Sequence, residues 1–96
     1  MEQLAEIKKA LGQLKPELDR KYHVSSIGLF GSVVRVDFRP ESDIDIIVDF
    51  NGKIGIEFID LADYIESTLQ KKVDLVSRRG IKDKYFKEIE SEIVYV

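Results

Sequence analysis

Apolar residues recur along this chain at two periods, and the switches between them mark its elements. Leu4, Ile7, Leu11, Leu14 and Leu18 return every three or four positions, the spacing of one face of an amphipathic helix. Pro16 falls inside that stretch. It predicts a kink, or a split with a short helix restarting at Glu17, because proline lacks an N–H and crowds the preceding turn. Residues 26–30 are short, mostly apolar and end at Gly31-Ser32. They predict a strand, then a brief helical turn through Arg35 and a loop through Arg39-Pro40. From Asp43 to Phe50 the period drops to two. Asp43, Asp45, Ile47 and Asp49 fall on one side and Ile44, Ile46, Val48 and Phe50 on the other, as in a strand. Asn51-Gly52 reads as a turn. Residues 55–70 return to helical spacing, with Ile56, Ile59, Ala62, Ile65 and Leu69 on one face. Residues 73–76 are a third strand, and 82–92 a last helix carrying Tyr85, Phe86 and Ile89 ahead of the apolar tail 93–96. The alternation of helix and strand predicts a small α/β sandwich, a sheet with helices over one or both faces.

The strand at 43–50 carries the most informative chemistry. Residues two apart on one strand face stand roughly 6.5–7 Å apart, so Asp43 and Asp45 can converge on one cation or a pair. A half-solvated strand alternates polar and apolar residues anyway, and that ordinary explanation suffices for an isolated Asp-x-Asp. Gly31-Ser32 changes the balance, because ten residues separate Ser32 from Asp43. The combined G-S-x10-D-x-D pattern should arise by chance in about one chain in a thousand of this length. Aspartate is also depleted in strands, and like charges on one face repel. The arrangement therefore costs stability unless a cation neutralises it. Glycine and serine at a strand-to-helix junction offer backbone N–H groups and a hydroxyl to a phosphate, although a turn glycine before a capping serine is common. Arg35, one helical turn on, either reaches the same phosphates or is a surface arginine. Asp74, between Val73 and Leu75, faces away from their side of the sheet; it is a solvent-facing residue or a third ligand. His23, beside Tyr22, reads as structural.

Composition narrows the setting. At 96 residues the chain predicts one domain, and its 44% hydrophobic and 34% charged residues suit a soluble globular protein. The absence of cysteine excludes a disulfide framework and a thiolate metal site. No apolar run approaches the length of a membrane span, and residues 1–12 are charged and amphipathic, unlike a secretory signal. A cytoplasmic location is the expectation. The net charge of −3 argues against broad nucleic-acid binding. Positive charge is nonetheless concentrated in the last third, at Lys71, Lys72, Arg78, Arg79, Lys82, Lys84 and Lys87. These form a solvated surface or a patch facing phosphate or a partner.

Several stretches together carry a resemblance. They are Ile27-Gly28-Leu29-Phe30-Gly31-Ser32, Arg35, Arg39-Pro40-Glu41-Ser42-Asp43-Ile44-Asp45, Lys72-Val73-Asp74-Leu75-Val76, Arg79-Gly80-Ile81-Lys82 and Ile93-Val94-Tyr95-Val96. The chain resembles nucleotidyltransferases of the DNA polymerase β superfamily, and their minimal (MNT) branch in particular, found beside HEPN-domain proteins in prokaryotic toxin–antitoxin pairs. The resemblance implies a polymerase β-like α/β (α+β) fold, a small mixed β-sheet flanked by helices. It implies two Mg²⁺ ions held by Asp43 and Asp45, with Asp74 binding one of them and helping to activate the acceptor hydroxyl. Gly31, Ser32, Arg35 and Ser42 become nucleotide contacts. ATP becomes the substrate, and the reaction becomes transfer of AMP to a tyrosine of a HEPN RNase toxin, silencing it. The position after Arg35, commonly small or acidic in these proteins, is Val36 here. One small domain has little left with which to build an acceptor site, so the partner must bring its own hydroxyl, with the basic last third as a docking surface. Two other readings stay open: an antitoxin that inhibits by binding alone, and a nucleotidyltransferase subunit acting on RNA or a small molecule.

Overall fold

In a computed structural model, which describes residues 2–35, 39 and 42–96, a long helix leads into the sheet. Helix α1 (Glu2–Tyr22) is followed by strand β1 (Val24–Phe30), a 3₁₀ turn (Gly31–Val34) and strand β2 (Ile44–Phe50). Helix α2 (Glu57–Leu69), strand β3 (Val73–Ser77), helix α3 (Asp83–Ile89), a second 3₁₀ turn (Glu90–Glu92) and strand β4 (Val94–Tyr95) complete the chain. Val36, Pro40 and Glu41, which enter the family resemblance, lie outside the described residues.

The strands form one sheet in the order β3-β2-β1-β4. β1 runs antiparallel to both β2 and β4, while β2 and β3 are parallel. Parallel neighbours need a crossover, and α2 supplies it. One sheet face sends Ile27, Leu29, Ile44, Ile46, Val48 and Phe50 into the main core beneath α1 and α2. There they meet Leu11, Leu18, Leu61 and Ile65, each 0% exposed. On the other face Phe30 and Ile47 pack with Ile89, Phe86, Ile81, Val76 and Ile93. The predicted alternation along β2 is thus observed, and its carboxylate-bearing face is only partly roofed by α3 and the tail.

Several expectations need correction. The kink at Pro16 is absent, and α1 runs helical through it. Gly12 and Pro16 are both exposed, so the proline ring meets the preceding turn on the solvent side, while Leu11 and Leu18 anchor the two halves to one core. In α2 the inward face is Phe58, Leu61, Ile65 and Leu69, not one that includes Ile56 and Ile59, which are 79% and 62% exposed. Ile56 precedes the helix, and Ile59 sits two residues from Leu61, about 200° around the axis. β1 starts two residues earlier than expected, and β2 starts at Ile44, leaving Asp43 just outside the strand. The last helix stops at Ile89 and tightens into a 3₁₀ turn, after which the apolar tail becomes β4, pairing Gly28 with Tyr95 and Leu29 with Val94.

The backbone of His23 closes the junction between α1 and β1. It ends α1 in a left-handed conformation (φ 59°), its N–H donating to the Asp19 carbonyl at 2.9 Å while its own carbonyl accepts from Asn51 at 2.7 Å. No described helix is long and apolar enough to cross a membrane.

Candidate active site

Three structural facts bring the predicted site residues to one end of the sheet. First, β2 and β3 run in a register that sets Asp45 beside Asp74. Adjacent strands lie about 4.8 Å apart, so these carboxylates leave the same face side by side. Second, the antiparallel register sets Phe30 opposite Asp45, which delivers the following Gly31-Ser32 turn to the same place. Third, Gly31 adopts φ +75°, and a Cβ there would collide with Asp45 Oδ2. Glycine is required at this position twice over, for its left-handed backbone and for the carboxylate packed against it.

Asp43 lies on the approach to β2 and is exposed, as is Asp74, while Asp45 is half-buried. Burial raises the Asp45 carboxyl to about 6, reinforced by the charges of Asp74 and then Asp43, with Arg35 opposing and Glu92 adding to the rise. Asp45 therefore feels both other aspartates, an electrostatic sign that the three converge. An oxygen-only set of like charges is the kind that a hard divalent cation binds. Among the described residues, no three such groups are already gathered at metal-holding distance. The aspartates are neighbours facing one region, not a closed cage.

The residues expected to contact the nucleotide divide. Gly31 and Ser32 open the 3₁₀ turn, and the Arg35 N–H closes it on the Ser32 carbonyl at 3.0 Å. The Arg35 side chain pairs with Glu92 Oε1 at 3.6 Å. Ser42 is occupied locally: its N–H donates to the Arg39 carbonyl at 2.9 Å, and its Oγ accepts from the Arg39 N–H at 3.3 Å. These two bonds hold Ser42 to Arg39 just before Asp43, so Ser42 shapes the approach to the site. Sequence reasoning missed Glu92, which accepts the Gly31 N–H at 3.1 Å. Periodicity placed it at the end of the last helix, and no short motif links residues 61 positions apart. Only the pairing of β4 with β1 brings it in.

The basic last third is partly committed to the fold. Arg79 donates to the Phe50 and Gly52 carbonyls at 2.7 and 2.8 Å and pairs with Asp49 at 3.4 Å, tying the loop after β3 to the end of β2. Arg78 lies 3.8 Å from the Phe86 ring centroid and pairs with Asp83. Lys72, Lys82, Lys84 and Lys87 remain exposed.

Comparison with known proteins identifies the family. The family described as "Polymerase beta, Nucleotidyltransferase" matches residues 12–95. The protein adenylyltransferase MntA of Thermococcus cleftensis is 40% identical over 94 residues, covering 97% of this chain and 95% of the relative. MJ1379 of Methanocaldococcus jannaschii, provisionally assigned as a protein adenylyltransferase, is 43% identical over 100 residues and covers both chains in full. Among solved structures, a toxin–antitoxin with AMP-PNP superposes with a TM-score of 0.75 at 25% identity, over 92% of this chain and 70% of that one. With a family match across most of its length and full-length relatives at this identity, the chain belongs to the polymerase beta nucleotidyltransferase family.

Proposed function

We propose that this chain is an antitoxin that transfers AMP from ATP to a tyrosine of a HEPN-domain RNase toxin and so silences it. The observation that carries the reading is the row of Asp45 and Asp74 on adjacent strands, with Asp43 two residues upstream and the Gly31-Ser32 turn packed against Asp45. Support also comes from the 40% identical MntA protein adenylyltransferase and from the AMP-PNP-bearing toxin–antitoxin structure of similar fold.

The chemistry needs positioning and charge neutralisation more than covalent help from protein. Two Mg²⁺ ions held by Asp43 and Asp45, one of them also by Asp74, would neutralise the triphosphate and the leaving pyrophosphate. Asp45, backed against Gly31, is the fixed member of the set. Asp43 and Asp74 approach from the exposed side, where the acceptor must enter. The tyrosine oxygen attacks the α-phosphorus, the bond to the β-phosphate breaks, and pyrophosphate leaves. Asp74 orients the acceptor hydroxyl and takes its proton. Gly31 admits the triphosphate close to the backbone, the Ser32 hydroxyl donates to it, and Arg35 draws its charge. A site lying open at the end of a sheet suits an acceptor carried by a second protein. The exposed lysines of the last third are the proposed docking surface, and ATP as substrate fits a cytoplasmic location.

Co-expression of the chain with the protein encoded beside it, followed by intact mass measurement of that partner, tests the reading. Mass increments of whole AMP units with wild type, and none with Asp43→Ala/Asp45→Ala, are expected. An unmodified partner that is inhibited equally by both forms would replace catalysis with inhibition by binding alone. Labelling of RNA, with no labelling of protein, would redirect the activity to a nucleic-acid acceptor.

A further inference from the structure

Glu92 is an acidic side chain that touches two of the groups assigned to the phosphates. Its Oε1 accepts the Gly31 N–H at 3.1 Å and lies 3.6 Å from Arg35 Nη2. Gly31 is thereby held from two sides, with Glu92 on its N–H and the Asp45 carboxylate against its α-carbon. We propose that Glu92 is a positioning residue of the nucleotide site. Its carboxylate locks the Gly31-Ser32 turn and aims the Arg35 guanidinium at the phosphates of a bound nucleoside triphosphate. The inference rests on the reading of Gly31 and Arg35 as phosphate contacts.

The backbone around Glu92 is built to hold it still. It ends the second 3₁₀ turn, and the next residues enter β4, where Leu29 pairs with Val94 and Gly28 with Tyr95. Ile93 lies so close over β1 that a Cβ at Gly28 would stand 2.5 Å from its Cγ2. The absence of a side chain at Gly28 thus lets the tail descend onto the sheet and sets Glu92 over the turn. A guanidinium carries five N–H donors in a rigid fork, so one edge can rest on Glu92 while others meet phosphate oxygens. The nearby guanidinium also offsets the charge that a carboxylate would otherwise present to a triphosphate.

The test uses the full chain with Mg²⁺, ATP and its protein acceptor, comparing Glu92→Ala, Glu92→Gln and Arg35→Ala with wild type. Losing a charge-assisted contact of this kind should raise the KM for ATP about tenfold or more in Glu92→Ala, with kcat much less affected. Glu92→Gln should recover part of the loss, because its amide oxygen still accepts from Gly31 while its pull on Arg35 is gone. Calorimetric titration with AMP-PNP should show the same order of affinities. Thermal melts separate this role from a merely structural one, in which the melting temperature falls while KM holds. That result in Glu92→Gln, the variant best able to fold, overturns the inference. A KM below wild type in Glu92→Gln also overturns it, since the carboxylate would then be competing with phosphate. If Arg35→Ala leaves KM unchanged, the underlying assignment of Arg35 fails instead. If Arg35→Ala raises KM and both Glu92 variants do not, the assignment stands and the positioning role falls.

Discussion

Gly31 shows how much one residue can determine here. Its φ of +75° and its contact with Asp45 leave no room for a side chain, so Gly31→Ala should move either the turn or the carboxylate. The backbone conformation alone costs about 1–2 kcal/mol for a residue with a Cβ, measurable by urea denaturation. AMP transfer should fall far more steeply than stability, as followed with labelled ATP. A Gly31→Ala protein with wild-type transfer would show that the position of Asp45 is not critical. This residue, with Ser32, Asp43, Asp45 and Asp74, was legible as a candidate in the sequence from the fixed Gly-Ser to Asp-x-Asp spacing and from alternation along the strands, while the register that sets Asp74 beside Asp45 was not. Glu92 was not legible. Its contact depends on the tail closing onto β1, and nothing in the local pattern around residue 92 specifies which strand the tail will join.

At the scale of elements, the existence and order of helices and strands followed from periodicity, while faces and ends did not always do so. Helix α2 is the clearest case. Two overlapping apolar stripes fit its sequence, one through Ile59 and one through Leu61, and local spacing cannot choose between them. The sheet chooses, because Phe50 meets Phe58 edge-on with ring centroids 6.3 Å apart and Leu61 and Ile65 are fully buried behind it. The observed face predicts that Ile59→Lys shifts stability by no more than about 0.5 kcal/mol, whereas Leu61→Ala costs about 2–5 kcal/mol. Chemical denaturation of the two variants measures both, and a large loss in Ile59→Lys would restore the rejected stripe. Pro16 teaches the opposite lesson. A strong local signal for a break is overridden because the core anchors α1 on both sides of it, and both Gly12 and Pro16 lie on its exposed face.

For the whole molecule, the consequence of this design is a stability that depends on pH and on cations through one end of the sheet. Asp45 titrates near 6 when folded, against 3.8 for an ordinary aspartate. Between those values the folded chain binds more protons than the unfolded one, so this group makes stability fall as pH rises through that window. Above about pH 6 the full penalty of the ionised carboxylate remains. Glu17, held low chiefly by the Tyr64 hydroxyl, and Glu57, held low by backbone N–H groups, act in the opposite sense: they support the fold above their unfolded value of 4.5 and lose that support in acid. The whole-protein profile mixes these trends, and the difference between wild type and Asp45→Asn isolates the site. Without divalent ions, Asp45→Asn should melt higher than wild type at pH 7–8, and the gap should close toward pH 4. Millimolar Mg²⁺ should raise the melting temperature of wild type at pH 8 and raise it much less in Asp45→Asn. At pH 5 the Mg²⁺ effect on wild type should shrink, because protons compete for the same oxygens. A wild-type melting temperature unmoved by Mg²⁺ at pH 8 would mean that the three aspartates do not act together as a cation site.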